Sequence, residues 1–303
     1  MTKSLRFPAL CLVFFSLALA LFSCAAIAEE TRQSATGEDP SGLRVMTFNI
    51  RYNNPKDGAD AWPNRIDMVA DRIRQSADVV GLQEARQEQI QDLAGRLDEY
   101  QWFGVGRDDG QQGGEFCPIF YRADRLKLLE TKVAWLSETP DVPGSKSWDA
   151  AITRLMTMVK FRDQKSGGVF WMINTHFDHR GPQSRIESAK IIRTTAQQFA
   201  ADYPVVVTGD FNCLPDSRPY QIITDDDDAS LLADARTITQ TPHRGPDSTW
   251  SGFREVEDGR RIDFIFVTSD VQVRRHVTFG DQVGGRFPSD HLPVVAAIRF
   301  APR

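Results

Sequence analysis

The chain has 303 residues, 41% of them hydrophobic, and its 36 basic against 41 acidic residues give a formal charge of −5. A mildly acidic protein has no general electrostatic attraction to polyanions, so any nucleic-acid contact has to rest on local basic clusters. Of the four cysteines, Cys11 and Cys24 lie in or beside an N-terminal apolar segment. Cys117 and Cys213 remain for the folded part, either paired or as buried thiols.

In chain order, Lys3 and Arg6 precede an apolar run from Ala9 to Phe22, which ends in small residues at Ala26-Ile27-Ala28. This is the pattern of a secretory signal peptide over residues 1–28. The run is shorter than the ~20 apolar residues of a membrane-spanning helix. Leu21-Phe22-Ser23-Cys24 resembles a bacterial lipobox, the alternative route, which would leave a lipidated Cys24 on an outer-membrane lipoprotein. Both routes export the protein, to the periplasm or beyond, and loss of Lys3 and Arg6 takes the charge from −5 to −7. Residues 29–42 are polar, contain Ser, Thr, Gly and Pro, and read as a linker. Residues 43–301 form one expected domain, long but within the range of large sandwiches and barrels.

Leu43 to Asn49 alternates at period two and reads as a strand; Trp62 to Gln75 carries Ile66, Val69, Ala70 and Ile73 at helical spacing. Asp78 to Glu84 is a short buried strand, followed by a second amphipathic helix over Gln87 to Leu97. Strand-like segments come next at Phe116 to Tyr121, Leu126 to Trp135, Thr153 to Phe161 and Val169 to Thr175. A helix over Arg185 to Phe199 precedes strands at Pro204 to Asp210, Arg261 to Val267 and Val294 to Phe300. The acidic run Asp225 to Asp228 reads as a solvated loop or helix start. Strands and helices mixed in this way suit two packed sheets with helices on their outer faces.

The ends of the apolar strands carry an unusual polar set: Asn49; Gln83-Glu84; Asn174-Thr175-His176-Phe177-Asp178-His179; Gly209-Asp210-Phe211-Asn212; Asp263 inside an apolar run; and Asp290-His291 before the last strand. Ligands of α/β sheets gather at strand ends, so these segments are expected to converge. Each has a task if the chemistry is phosphoester hydrolysis. Glu84, aided by Asn49 or Asp290, offers oxygen ligands to a hard cation such as Mg²⁺. The imidazole of His291 suits a general base, oriented by buried Asp263. Asp210 can position water, while Asn212 and His176 donate to phosphoryl oxygens.

In this order, Thr47-Phe48-Asn49, Leu82-Gln83-Glu84, Thr175-His176, Gly209-Asp210-Phe211-Asn212, Ile262-Asp263-Phe264 and Ser289-Asp290-His291 resemble the endonuclease/exonuclease/phosphatase superfamily. Asn49 to Asn54, Trp62-Pro63-Asn64-Arg65 and the His-Phe-Asp-His segment are similar to its exported bacterial members, distant relatives of the deadenylase-like branch. The resemblance implies a DNase I-like fold, a four-layer α/β sandwich of two packed mixed sheets flanked by helices. It implies Mg²⁺ or Mn²⁺ held by Glu84, Asn49 and Asp290, with His176, Asp210, Asn212, Asp263 and His291 as the catalytic set. The expected activity is metal-assisted in-line attack of water on a phosphoester of nucleic acid or of a small or lipid-linked phosphate. A nuclease-like phosphodiesterase comes first, a phosphomonoesterase or phospholipid diesterase second. A monomer without an obligate protein partner is expected.

Plainer readings stand beside these. Asn49 could cap a loop, Glu84 could be a first-turn helix acid, and Asp178 and His179 could be rim residues. Arg51, Arg154 and Arg185 could meet phosphate or serve structure, and Trp250 could line a cleft or pack a loop. His243 and His276 have no motif around them. A surface binding protein that kept the fold and lost the chemistry is the alternative of another class; the competent residue at every catalytic position speaks against it.

Overall fold

The computed structural model describes residues 42–224 and 232–301. The expected export segment, all but the last residue of the expected linker, and the acidic run Asp225 to Asp228 lie outside the described residues.

One six-stranded sheet holds β1 (Leu43–Asn49), β2 (Val79–Gln83), β3 (Tyr100–Phe103), β4 (Ile119–Arg122), β11 (Val271–Thr278) and β12 (Val294–Phe300), in the order β11-β12-β1-β2-β4-β3. The other holds β5 (Leu126–Trp135), β6 (Leu155–Asp163), β7 (Val169–His176), β8 (Val205–Asp210), β9 (Leu232–Asp234) and β10 (Asp263–Thr268), in the order β5-β6-β7-β8-β10-β9. Each sheet contains one parallel pair: β1 with β2, joined through α1 (Ile66–Ser76), and β7 with β8, joined through α3 (Pro182–Ala200). The other pairings are antiparallel, so both sheets are mixed. With α2 (Gln87–Ala94) and α4 (Arg218–Thr224), the helices complete the four layers.

Side-chain alternation sorts the cores. Val45, Val79, Phe170, Met172, Val206 and Ile265 meet between the sheets, whereas Met46, Phe48, Val80 and Leu82 pack with Val69, Ile73 and Ile90 of α1 and α2. Trp171, Ile173, Val205 and Val207 pack with Ala189, Ile192 and Ala196 of α3. Each such buried Val, Leu, Ile, Phe or Met side chain stabilises the fold by roughly 1.5–3 kcal/mol.

The layer between the sheets changes character along the strands. Stepping by two from that core leads to Thr47 and Asn49, Gly81 and Gln83, Asn174 and His176, and Thr208 and Asp210. Midway, Gln83 Nε2 donates to Thr47 Oγ1 and Asn174 Oδ1, Thr208 Oγ1 donates to Asn174 Oδ1, and Asn174 Nδ2 donates to the Leu82 and Pro118 carbonyls. The sheets are therefore stitched by a buried polar network, which satisfies groups that would otherwise be costly to bury. Gly81 permits it, since a Cβ there would stand 2.3 Å from Asn174 Oδ1.

Several boundaries differ from the sequence expectation for local reasons. The strand expected from Phe116 starts at Ile119, because Pro118 lacks a donor for the ladder. The helix expected from Trp62 starts at Ile66, after a 3-10 turn (Trp62–Asn64). The second helix stops at Ala94, before Gly95 rather than at Leu97. Strands β3, β9 and β11 and helix α4 were not apparent in the sequence; β11 alternates polar and buried residues and carries a bulge between Val273 and Arg275.

Candidate active site

The parallel pairs place the site. Asn49 is in register with Gln83 at the ends of β1 and β2, and His176 with Asp210 at the ends of β7 and β8. Antiparallel β10 sets Asp263 opposite Asp210, and the segment entering β12 supplies Asp290 and His291. All eight residues expected from the sequence thus lie at this end of the two sheets.

One side of the site is acidic. Donor atoms of Glu84, Asp210 and His291 lie within 4.8 Å of one another. Glu84 follows β2 with φ +59°, a left-handed conformation that costs a non-glycine residue about 1–2 kcal/mol and turns its carboxylate out of the strand line. Tyr52 N donates to its Oε2, and Asn49 Nδ2 donates both to Glu84 Oε1 and to Asp210 Oδ2, each at 3.0 Å. The Asn49 oxygen accepts from Arg51 N, so Asn49 meets the acidic cluster through its amide hydrogens. His291 Nδ1 lies 2.9 Å from Asp263 Oδ2 and its Nε2 3.6 Å from Asp210 Oδ2. Asp290 accepts from Ser289 Oγ, and its Oδ2 lies 3.9 Å from Arg51 Nε.

The electrostatics of this side call for a cation. Burial, with Asp263 nearby and in spite of His291, raises Asp210 to about 7. Burial and then Glu84 push Asp290 up, against the pull of His291. Burial alone would lower His291, but Asp263, Asp210 and Asp290 raise it to about 10. Carboxylates crowded in this way retain protons unless positive charge arrives. The carboxylates of Glu84 and Asp210 fit a divalent ion, which when bound would polarise a phosphoryl oxygen and stabilise the leaving oxyanion, with the His291 imidazole beside it.

The other side differs. Burial, followed by Arg154 and Arg107, holds His176 well below its ordinary range, so it is neutral. Its Nε2 lies 3.0 Å from Asn212 Nδ2 and 3.3 Å from Asp210 Oδ2. Asn212 also donates to the Phe177 carbonyl and has φ +46°. Asp178 accepts from four backbone N–H groups (Ala151, Ile152, Arg180 and Gly181), and His179 Nδ1 lies 3.2 Å from Arg154 Nη2.

Several contributors were weakly marked or unmarked in the sequence. Arg65 is fully buried and donates to the carbonyls of Ile50, Arg51, Asp60 and Pro288, tying together the loops that carry Arg51 and Asp290. Its place in Trp62-Pro63-Asn64-Arg65 was the only signal. Trp250 packs edge-on against His291, with ring centroids 4.7 Å apart. Thr249 Oγ1 accepts from the backbone of Ile262 and Asp263. Arg185 donates to the Asp178 carbonyl. Cys117 and Cys213 are buried free thiols.

Two mixed sheets flanked by helices, with a carboxylate–imidazole cluster at one end of the layer between them, define a phosphoester-hydrolysing enzyme. The family model described as the Endonuclease/Exonuclease/phosphatase family matches residues 46–291, and the chain belongs to that family. Its members generally use a divalent metal. The chain is similar to the solved endonuclease/exonuclease/phosphatase of Bacteroides vulgatus, at 39% identity and TM-score 0.81, covering 86% of this chain and 99% of that one. It is 33% identical to the mannosyl-6-phosphatase of Bacteroides thetaiotaomicron, at TM-score 0.78, covering 85% of this chain and 100% of that one. Nocturnin of Drosophila melanogaster is 25% identical over 224 residues, 63% of this chain but only 33% of nocturnin's length.

Proposed function

We propose that the protein is an exported Mg²⁺- or Mn²⁺-dependent phosphomonoesterase acting on small phosphates such as sugar phosphates. The sequence favoured a phosphodiesterase, and its second choice now stands first. The observation that carries this is a cleft of about 360 Å³ walled by Trp250, Ser251, Gly252, Arg254, Glu255 and Glu257, next to the site through Trp250, whose ring packs against His291. That is the size of a small-molecule site. Glu255 and Glu257 can accept from hydroxyls, while the Trp250 ring, with the Arg260 guanidinium 4.6 Å from its centroid, closes the wall; two glutamates against Arg254 and Arg260 make no strongly basic track for a polyanion. The 33% identity to a mannosyl-6-phosphatase over that protein's whole length supports the same reading.

In this reading Glu84 and Asp210, held by Asn49, carry the metal together with Asp290. Asp210 also orients the attacking water, and His291, fixed by Asp263 through Nδ1, would accept its proton once a bound cation offsets the carboxylates that otherwise keep the imidazole protonated. His176 and Asn212 hold phosphoryl oxygens on the opposite side. The signal-like residues 1–28 support export. The test is a substrate panel with Mg²⁺ and with chelator. Mannose 6-phosphate, glucose 6-phosphate and p-nitrophenyl phosphate should exceed bis-p-nitrophenyl phosphate and DNA at least tenfold, and chelation should abolish turnover. Preferential cleavage of DNA or of the diester would overturn the assignment.

A further inference from the structure

Beside His176 lies a small cavity with room for about one water, lined by Arg107, Glu115, Arg154 and His176 together with Phe116, Cys117 and Leu155. Arg154 is 4% exposed. Its Nη2 meets His179 Nδ1, but neither Nε nor Nη1 has a hydrogen-bond partner among the described residues. Asp178 Oδ2 lies 4.0 Å from Nε and already accepts from the Ala151 and Ile152 amides. Arg107 spends Nη1 on Glu115 at 2.5 Å, and its Nε is also without a hydrogen bond.

Hydrogen-bond donors, rather than net charge, are what this cavity has left over. A buried guanidinium left short of acceptors is costly, and this one adjoins the histidine on the phosphate side of the site. The missing acceptor must be compact, because the cavity admits one oxygen atom and not a whole phosphate. A phosphomonoester has three non-bridging oxygens and a phosphodiester has two. In the diester the third oxygen is an ester oxygen: it is a poor acceptor for a guanidinium, and the carbon it carries has no room in a cavity the size of one water.

We propose that Arg154, backed by Arg107, receives the third non-bridging oxygen of a phosphomonoester and thereby selects monoesters over diesters. This rests on the phosphomonoesterase reading above. Asn212 and His176 hold one oxygen, the acidic side a second, and Arg154 the third. Arg154 is then a specificity-determining residue that touches substrate.

The test compares kcat/KM for p-nitrophenyl phosphate and bis-p-nitrophenyl phosphate in the wild type and in Arg154→Met, with the inhibition constants of inorganic phosphate and dimethyl phosphate. The variant should lower the monoester-to-diester ratio at least 30-fold and weaken inhibition by inorganic phosphate at least tenfold, with dimethyl phosphate little affected. Equal losses on both substrates, or an unchanged ratio, would overturn the assignment. Should the methionine variant not fold, Arg154→Lys keeps the charge without the fork, and its ratio should fall at least fivefold; an unchanged ratio again overturns it. A wild type that prefers the diester defeats the phosphomonoesterase reading itself. A wild type that prefers the monoester, with an unchanged variant, defeats only the role of Arg154.

Discussion

The two sides of the site face each other across Asp210 and are built in opposite ways. The acidic side has oxygen atoms in surplus: Glu84, Asp210, Asp263 and Asp290 stand around one imidazole, and burial, followed by repulsion from neighbouring carboxylates, raises Asp210 and Asp290. The arginine side has donors in surplus, with nitrogens of Arg154 and Arg107 lacking acceptors and His176 held neutral. In the proposed function a phosphoester bound with a divalent ion would satisfy both at once, the cation on the acidic side and the phosphoryl oxygens on the other. Neither side is well satisfied alone, and that imbalance identifies the place where ligand chemistry completes the fold.

The sharpest way to break the comparison is on the acidic side. Glu84→Gln should keep the fold, abolish calorimetric binding of Mn²⁺ and lower kcat about 10³-fold or more, comparable to losing a central electrostatic group. Retained binding and turnover would remove Glu84 from the metal. Asp263→Asn tests the imbalance more finely, since the amide offers His291 Nδ1 the wrong partner for orienting the ring. A loss of about 10³-fold in kcat with little change in KM is expected, whereas a rise in KM alone would make Asp263 a binding group.

Beneath both sides runs the network around Asn174. Asn174→Ala leaves Gln83, Thr208 and two carbonyls short of partners and opens a void between the sheets, so a loss of about 2–4 kcal/mol in urea unfolding is expected. A loss below about 1 kcal/mol would mean that the sheets do not depend on this stitching. Away from the site, the His243–His276 pair (Nδ1 to Nδ1, 2.9 Å) is the control. Burial, then His243, lowers His276 to about 3 from its ordinary 6.5. The unfolded chain therefore takes up a proton first as pH falls. Its contribution is complete above pH 6.5 and declines below that toward pH 3, at up to about 1.4 kcal/mol per pH unit. His276→Phe should flatten that part of the stability profile without changing the ratio of monoester to diester hydrolysis; an unchanged slope would assign the acid sensitivity elsewhere.

Much of the acidic side was legible because its residues interrupt apolar strands. A carboxylate inside Ile262-Asp263-Phe264, or an Asp-His pair before Val294-Val295, is too costly to leave without partners, and the hydrophobic alternation marked the strands that deliver them. The arginine side was much less legible. Arginine is ordinarily exposed, and nothing local to Thr153-Arg154-Leu155 tells a solvated guanidinium from one buried beside His176. Arg65 was hidden for the same reason, and the edge strand β11 was obscured by its polar exposed positions, Gln272 and Arg274.

By itself the sequence determined which residues sit at strand ends, the alternation that sends them toward the layer between the sheets, and membership in a family of phosphoester hydrolases. Only the tertiary structure decided that β1 with β2 and β7 with β8 deliver their ends to the same place, that Asn49 reaches Glu84 and Asp210 through its amide, and that Arg154 is buried with nitrogens to spare. The physical reason is that periodicity is local, encoded within a few residues. Burial and hydrogen-bond satisfaction depend on what distant segments bring to the same point in space.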